Sequence, residues 1–180
     1  MVFAPDTEVA LRSVVGLINT AANGEEKLST VAELDRFLEA EGFTGSRTRD
    51  AAELASVHRL RGELATLWLA DEGTAVETVN RLLREARALP QLMKHDGWDW
   101  HLHATTPEAP LADRMSTEAA MALVDVIRSK EMDRMLVCAA EDCDAVVLDL
   151  SRNRSKRYCD TGNCANRAHV AAYRARKAAS

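Results

Sequence analysis

The stretch CAAEDCDAVVLDLSRNRSKRYCDTGNCANR, residues 138–167, contains all four cysteines of the 180-residue chain. They form two close pairs, Cys138-x4-Cys143 and Cys159-x4-Cys164, separated by fifteen residues. A tight turn within each pair lets both sulfurs face one ion, and the intervening segment returns the chain so that the pairs meet. Two such pairs are typical of a tetrahedral zinc site, so the four cysteines are predicted to hold one structural Zn²⁺.

Other interpretations of the cysteines remain open. Two disulfides would need an oxidising compartment, but the first residues, MVFAP, show neither the basic nor the apolar region of a secretion signal. A redox-active dithiol usually has Cys-x-x-Cys spacing, which this sequence lacks. His169 could also replace Cys164 as the fourth ligand. Four thiolate ligands would leave no open coordination position, so we expect the metal to hold structure and not to catalyse hydrolysis.

The cysteine-rich stretch also resembles a known family, the CGNR zinc finger. The resemblance lies in the two cysteine pairs, in the basic run DLSRNRSKRYC at 149–159 and in CANR at 164–167. This sequence has Ala165 where the family motif has glycine, and Asp160-Thr161 where the family has Ser-Met. Alanine is suitable if position 165 is helical and costly if it needs a positive φ. The acidic Asp160 opposes close approach of a phosphate at that point.

This resemblance implies the architecture and function of the whole chain. In the family, the finger ends bacterial proteins whose N-terminal part is an ABATE domain, described as stress-induced transcription regulators. The family's early apolar-Asn-Thr signature matches residues 17–20, and its Leu-Arg signature matches Leu60-Arg61. We therefore expect an ABATE-like helical domain over 1–134 and a CGNR-like zinc finger over 135–180.

The charge of the chain is unevenly distributed. Residues 1–150 contain 15 Lys and Arg against 27 Asp and Glu, a net −12, whereas residues 151–180 contain 8 against 1, a net +7, and the two sum to −5. A basic arm on an acidic body is typical of a nucleic-acid-binding appendage, although a solvated tail or an arm docked on the body would have the same composition. The residues predicted to contact DNA are Arg152, Arg154, Lys156, Arg157, Arg167, Arg174, Arg176 and Lys177. Arg152, Arg154 and Lys156 alternate along the sequence, so an extended backbone would place all three on one face.

The remaining sequence predicts a mainly α fold with a small β-hairpin (α+β). Helical spacing and capping signals indicate helices at about 6–22, 30–42, 49–72, 74–89 and 111–130, and a last one from Asn163 towards Lys177. Asp6 and Thr74 are the expected N-caps of the first and fourth. Between 91 and 104 the pattern alternates: the apolar Trp98, Trp100 and Leu102 are expected in the core or a lid, on a half-buried strand, after a turn at Asp96-Gly97. His101 and His103 are expected to lie on an exposed strand face. The alternative, that they bind a metal, is less favoured because no third ligand is near in the sequence.

Arg61 lies on the apolar stripe of the third helix and must therefore be paired. Its partner is either a carboxylate or helix-end carbonyl elsewhere in the fold, or a small anionic ligand with Asn19 as a second contact.

The most economical functional hypothesis is a cytoplasmic bacterial regulator that binds DNA through the zinc finger and senses a small anionic effector through the body. The alternative is a small-molecule or protein-interaction module in which the finger is purely structural. No phosphate loop, nucleophile elbow or His-Glu-x-x-His motif is present, so we do not expect an enzyme. No apolar run is long enough for a membrane span. A homodimer would suit a palindromic operator, but no heptad seam specifies one.

Overall fold

The computed structural model describes residues 2–94 and 99–178. Within them the chain forms six α-helices and two small antiparallel sheets of two strands each, which confirms the α+β prediction. The helices are α1 (Pro5–Asn19), α2 (Val31–Ala40), α3 (Ala51–Trp68), α4 (Glu72–Glu85), α5 (Leu111–Arg128) and α6 (Cys164–Ala178). The strands are β1 (Gln91–Met93), β2 (His101–His103), β3 (Met135–Val137) and β4 (Val146–Leu148).

The first five helices surround one apolar core. α5 lies against α1, α3 and α4, and places Leu123 and Val126 at its centre, where both are almost completely buried. Leu11 of α1 and Leu64 of α3 are buried to the same degree. Val146 and Leu148 of β4 belong to this core as well, so the cysteine-rich segment packs directly on the helical body. Burying a side chain of this kind contributes about 1.5–3 kcal/mol.

Side-chain caps explain where three of the helices begin. The predicted capping box of α2 is present, because Thr30 and Glu33 each bond the other's backbone amide. The predicted cap of α4 at Thr74 is wrong: Asp71 accepts from the Thr74 amide at 2.8 Å, and the helix begins at Glu72. Asp50 caps α3 in the same way. In each case an oxygen satisfies an amide that has no partner within the helix.

Both ends of α1 and the C-terminal end of α3 also differ from the predictions. α1 begins at Pro5, with Ala4 as its N-cap and no side-chain cap from Asp6, since proline at the first position needs no amide partner. It ends at Asn19 and not at 22, because the chain turns into a 3₁₀ helix at Ala22–Gly24 in which Asn23 has φ 59°. α3 ends at Trp68 and not at 72.

The hairpin of β1 and β2 has its apolar side chains on the opposite face from the one expected. The register places Leu92 opposite Leu102, and both are exposed, as is Trp100. The intermediate positions of β2 are His101 and His103. The prediction that the apolar face is half-buried is therefore wrong for Trp100 and Leu102, because in β2 the half-buried side chains are those of His101 and His103. The predicted turn at 96–97 and Trp98 lie outside the described residues.

The cysteine-rich segment follows the body without a linker. α5 ends at Arg128, a 3₁₀ turn covers Met132–Arg134, and β3 starts at the next residue. β3 then pairs with β4, with Leu136 opposite Val147. Trp68 at the end of α3 donates from its indole nitrogen to the Leu136 carbonyl at 3.0 Å, which fixes β3 against the body.

Candidate metal centre and nucleic-acid interface

The four cysteines converge from four different kinds of local structure. Cys138 follows β3 directly, Cys143 ends the turn after it, Cys159 lies in the loop after β4, and Cys164 is the first residue of α6. All but Cys143 are buried. A second apolar cluster that includes Ala145 and Val147 surrounds them. The segment after β3, the loop after β4 and the first residue of α6 therefore hold the sulfurs in place.

The distances between the sulfurs match a tetrahedral metal site. All four Sγ atoms lie within 4.8 Å of one another, and Cys159 Sγ is 3.7 Å from both Cys143 Sγ and Cys164 Sγ. A zinc–sulfur bond of about 2.3 Å gives a tetrahedron whose edges are about 3.8 Å. The sulfurs are free thiols at separations too long for disulfides, and His169 is exposed on α6 while Cys164 is inside the cluster. The four cysteines therefore fit one structural Zn²⁺, with no open coordination position.

Polar groups donate hydrogen bonds to two of the sulfurs, and the surroundings favour the thiolate most clearly at Cys159. The Cys159 amide donates to Cys138 Sγ at 3.4 Å, and Arg167 Nη2 donates to Cys164 Sγ at 3.2 Å. Burial opposes ionisation of Cys159, but hydrogen bonds from Thr161 and the neighbouring thiols outweigh it and lower the pKa of its thiol to about 6. These donors would orient the thiolates of a zinc site, as outer partners commonly do.

The two departures from the family motif have clear structural outcomes. Ala165 is helical in α6 and is not among the residues with positive φ, so alanine is well tolerated there. The residue that takes the left-handed conformation is Asn163, with φ 50°. Asp160 is exposed and pairs with Lys156 at 2.6 Å.

Asn19 joins the helical body to the metal module. Its side-chain nitrogen donates to the Val146 carbonyl at 3.0 Å, and its oxygen accepts from the Val146 amide at 2.8 Å. The Asn19 amide thus pairs with the outer edge of β4 as a neighbouring strand would. A weaker, exposed copy of this arrangement joins Asn23 and Asp144, each accepting from the other's backbone amide. Both polar atoms of the Asn19 side chain are therefore bonded to the backbone of the protein itself.

Arg61 also has a protein partner. Its guanidinium binds both carboxylate oxygens of Glu26, at 2.8 and 2.5 Å, and donates to Thr20 Oγ1 at 3.0 Å. The Arg61 hydrogen bond is the main cause that lowers the pKa of Glu26 to about 2. Of the two partners considered for Arg61, the structure contains the carboxylate. Ligand binding at Asn19 and Arg61 stays a prediction, and it would require displacement of Glu26.

Asp149 organises the basic loop, and the sequence reasoning missed it. This residue is almost completely buried, and its carboxylate accepts from the backbone amides of Ser151 and Lys156 at 2.8 and 2.9 Å. Burial opposes ionisation of Asp149, but these hydrogen bonds and nearby Arg134 outweigh it and lower its pKa. Arg134, also buried, donates to the carbonyls of Asp149 and Ser151. An acidic residue directly after an apolar strand and before a basic run was the available signal.

The loop wrapped around Asp149 is not an extended strand. Arg154 has φ 50°, and residues 152–154 form turns. The expectation that Arg152, Arg154 and Lys156 share one face of an extended backbone is therefore wrong. Arg154 instead binds Glu131 at 2.8 Å and Asp133, both of which precede β3.

The eight predicted DNA-contact residues fall into three groups. Three bind carboxylates: Arg154 as above, Lys156 with Asp160, and Arg167 with Asp142. Arg176 lies on α6 and has an interaction of its own. The other four are exposed, and no carboxylate partner is found for them among residues 2–94 and 99–178: Arg152, Arg157, Arg174 and Lys177.

Helix α6 projects from the metal centre. Of its fifteen residues only Cys164 is buried, and Val170 and Tyr173 are exposed. Arg167 and Arg174 are seven residues apart, so they lie on the same side of the helix. A helix with so little packing against its own protein leaves a long basic surface available.

The fold and the metal site define a class of protein, a helical domain with an integral C-terminal zinc module. Residues 11–130 match the model of the ABATE family, described as "putative stress-induced transcription regulator", and residues 134–177 match the CGNR zinc finger. The chain belongs to the ABATE family and carries a CGNR zinc finger at its C-terminal end. Both matches are to regulator and zinc-finger families and not to enzyme families. A comparison with curated proteins finds no significant match.

Across residues 2–94 and 99–178, no helix is both long enough and apolar enough to cross a bilayer.

Proposed function

We propose that this protein is a transcription regulator that binds DNA through its zinc module, with α6 and the loop at 151–157 contacting the phosphate backbone. The observation that carries the proposal is the surface around α6. Basic side chains without carboxylate partners are concentrated there, on the loop at 151–157 and on a helix whose one buried residue is Cys164, while residues 1–150 are acidic. The description of the matched ABATE family supports the same function.

Arg152, Arg157, Arg174 and Lys177 are the residues that we expect to contribute most to DNA affinity. Each released counterion makes binding more salt-dependent, by about 0.9 in the slope of log K against log salt for every phosphate neutralised. Arg154, Lys156 and Arg167 already bind carboxylates. They would have to give up these partners to bind phosphate, so they should add less to the DNA affinity. Contacts of this kind position a protein on a duplex and do not by themselves select a sequence.

The experiment compares two variants that change the net charge equally. In the first, Arg152, Arg157, Arg174 and Lys177 are all replaced by alanine. In the control, four exposed cations of the body are replaced by alanine: Arg12, Lys27, Arg36 and Arg84. The zinc-loaded proteins are titrated against labelled random-sequence duplex by fluorescence anisotropy, from low to near-physiological salt.

The proposal predicts salt-dependent binding by the natural chain and a slope smaller by about 3–4 for the first variant only. Absence of binding at low salt, or equal losses in the two variants, would contradict it.

The alternative function is an interaction module in which zinc only anchors the C-terminal segment. The ion pairs between Arg154 and the acidic pair Glu131 and Asp133 favour this alternative, because they point basic charge at acidic residues of the protein itself. A chain ending at Arg167 separates the two functions, since it keeps all four cysteines and loses most of α6. DNA binding requires that this truncation, which loses Arg174 and Lys177, weaken affinity and reduce the salt slope by about 2 while leaving the unfolding temperature nearly unchanged. An unchanged affinity would favour the alternative.

A further inference from the structure

The guanidinium of Arg167 links the two cysteine pairs. Arg167 lies three residues after Cys164 in α6, and its Nη2 donates to Cys164 Sγ at 3.2 Å. The same nitrogen donates to Asp142 Oδ1 at 3.1 Å, and Nη1 donates to Asp142 Oδ2. Asp142 directly precedes Cys143, in the turn that holds the first cysteine pair. This side chain therefore connects the first pair to the helix that begins at the last cysteine.

The geometry of this link requires an arginine. Nη2 carries two hydrogens, so it can donate to the Asp142 carboxylate and to the Cys164 sulfur at once, while Nη1 completes the bidentate pair. A lysine amine offers one point charge without this planar fork. The side chains of Arg167 and Asp142 are 49% and 66% exposed. An ion pair as exposed as this contributes little to folding by itself, so its importance lies in what the guanidinium does to the sulfur.

Cys164 is the sulfur for which such a donor matters most. Its side chain is almost completely buried, and the Gly162 carbonyl oxygen lies 3.6 Å from its Sγ. An oxygen at that position disfavours negative charge on the sulfur, whereas the Arg167 guanidinium favours it. Cys138, in comparison, accepts from a backbone amide that the fold already fixes. The donor to Cys164 is a long, half-exposed side chain, and Asp142 is the group that orients it.

We propose that the Asp142–Arg167 pair retains zinc at Cys164. The guanidinium keeps this sulfur ionised and oriented as a ligand, and the carboxylate keeps the guanidinium in place. Four thiolates around one Zn²⁺ would carry a net charge of about −2, which an adjacent cation offsets. Arg167 then acts mainly at the metal centre, although its charge alone predicts a DNA contact. Zinc retention does not depend on DNA binding, so this proposal and the proposed function can fail separately.

The test measures zinc release from the full chain in the absence of DNA. Zinc-loaded protein is mixed with an excess of the coloured chelator 4-(2-pyridylazo)resorcinol, and the rate is followed by absorbance. The variants are Arg167→Ala, Asp142→Asn and the two combined. The matched control is Arg174→Ala, which removes the same charge from the same side of α6, two turns further on, where no carboxylate partner is found in the described part of the chain. Far-UV circular dichroism checks that each variant is folded.

Arg167→Ala should release zinc at least about tenfold faster than the natural chain, because changing an outer partner of a metal ligand typically costs about 10–100-fold in metal affinity. Arg174→Ala should stay within about twofold of the natural chain. Asp142→Asn should release zinc faster than Arg174→Ala, and it should add nothing in the Arg167→Ala background, where its partner is gone. Asp142→Asn replaces an exposed carboxylate by an amide of the same shape, so it tests the pair even if Arg167→Ala loads zinc poorly.

Equal release rates for Arg167→Ala and Arg174→Ala would overturn the proposal, and so would an Asp142→Asn effect that persists without Arg167. A spectrum of the cobalt-substituted protein separates an effect on the sulfur from a general loosening of α6. Loss of a hydrogen-bond donor raises the energy of the sulfur electrons, so the sulfur-to-cobalt charge-transfer band should move to lower energy in Arg167→Ala only. The visible bands that report tetrahedral geometry should stay in place. A charge-transfer band that does not move would also overturn the proposal.

Discussion

Replacing Asn19 by alanine should uncouple the helical body from the metal module. The change removes two buried hydrogen bonds and leaves the amide and the carbonyl of Val146 without partners. An unsatisfied buried backbone group costs about 1–2 kcal/mol, so the free energy of unfolding should fall by about 2–4 kcal/mol. For a protein of this length, 1 kcal/mol corresponds to about 2–4 °C, which predicts a drop in unfolding temperature of roughly 4–16 °C.

The assay is thermal and urea unfolding of the zinc-loaded protein, followed by circular dichroism at 222 nm. Asp144→Ala is the control: it removes a hydrogen bond to Asn23 at the same junction, but at an exposed position, and should cost less than about 0.5–1 kcal/mol. If Asn19→Ala is no more destabilising than Asp144→Ala, the side chain does not act as the missing neighbour strand of β4, and the reasoning is refuted.

Two further predictions concern zinc and pH. Removing zinc with a chelator should destabilise the body more than Asn19→Ala does, because β4 contributes Val146 and Leu148 to the main core; an unfolding curve of the helices that is unaffected by chelation would contradict this coupling. Burial raises the pKa of Glu118 to about 7, so the folded state favours the protonated carboxyl and loses stability as pH rises from about 4.5 through 7. Glu118→Gln should therefore stabilise the protein by about 1–2 kcal/mol at pH 8 and by much less at pH 5, and a pH-independent difference would show that the carboxyl is not desolvated.

The metal centre could be predicted from the sequence because its information is local. The spacing of the two cysteine pairs indicates four metal ligands independently of how the helical domain folds. The distances between the four sulfurs fit this prediction. The α+β class followed equally well from helical spacing, since the apolar stripes of α3 and α5 do face the core. The capping box at Thr30 is a third local signal that was sufficient by itself.

The partners of charged and amide side chains depend on distant parts of the chain. Asn19 and Val146 are 127 residues apart, and Arg61 and Glu26 are 35 apart. Composition alone could not distinguish an arginine that binds its own protein, such as Arg154, from one that remains available, such as Arg152. The prediction for Trp100 and Leu102 was wrong for a related reason. Alternation of apolar and polar residues identifies the two faces of a strand but not which of them is buried.

The predicted ends of α4 and α5, at 89 and 130, lie four and two residues beyond the observed ends, and the reason is conformational. Arg87 after α4 and Lys130 after α5 both have positive φ, at 50° and 57°, where glycine is the usual signal. After α5, the amides of Lys130 and Glu131 bond back to the carbonyls of Ile127 and Val126. These hydrogen bonds compensate the strain that a side chain causes in this conformation.

The separation of Asn19 from Val146 also orders events during synthesis. A ribosome adds about 5–20 residues per second, so the end of α1 is complete for several seconds before its β4 partner is made. Through that interval the nascent helical body has a solvent-exposed amide where the finished protein has a buried one. Helix α1 can pack on α3 and α5 as soon as those helices have been made, so the part of its packing that must wait for the end of synthesis is its contact with β4.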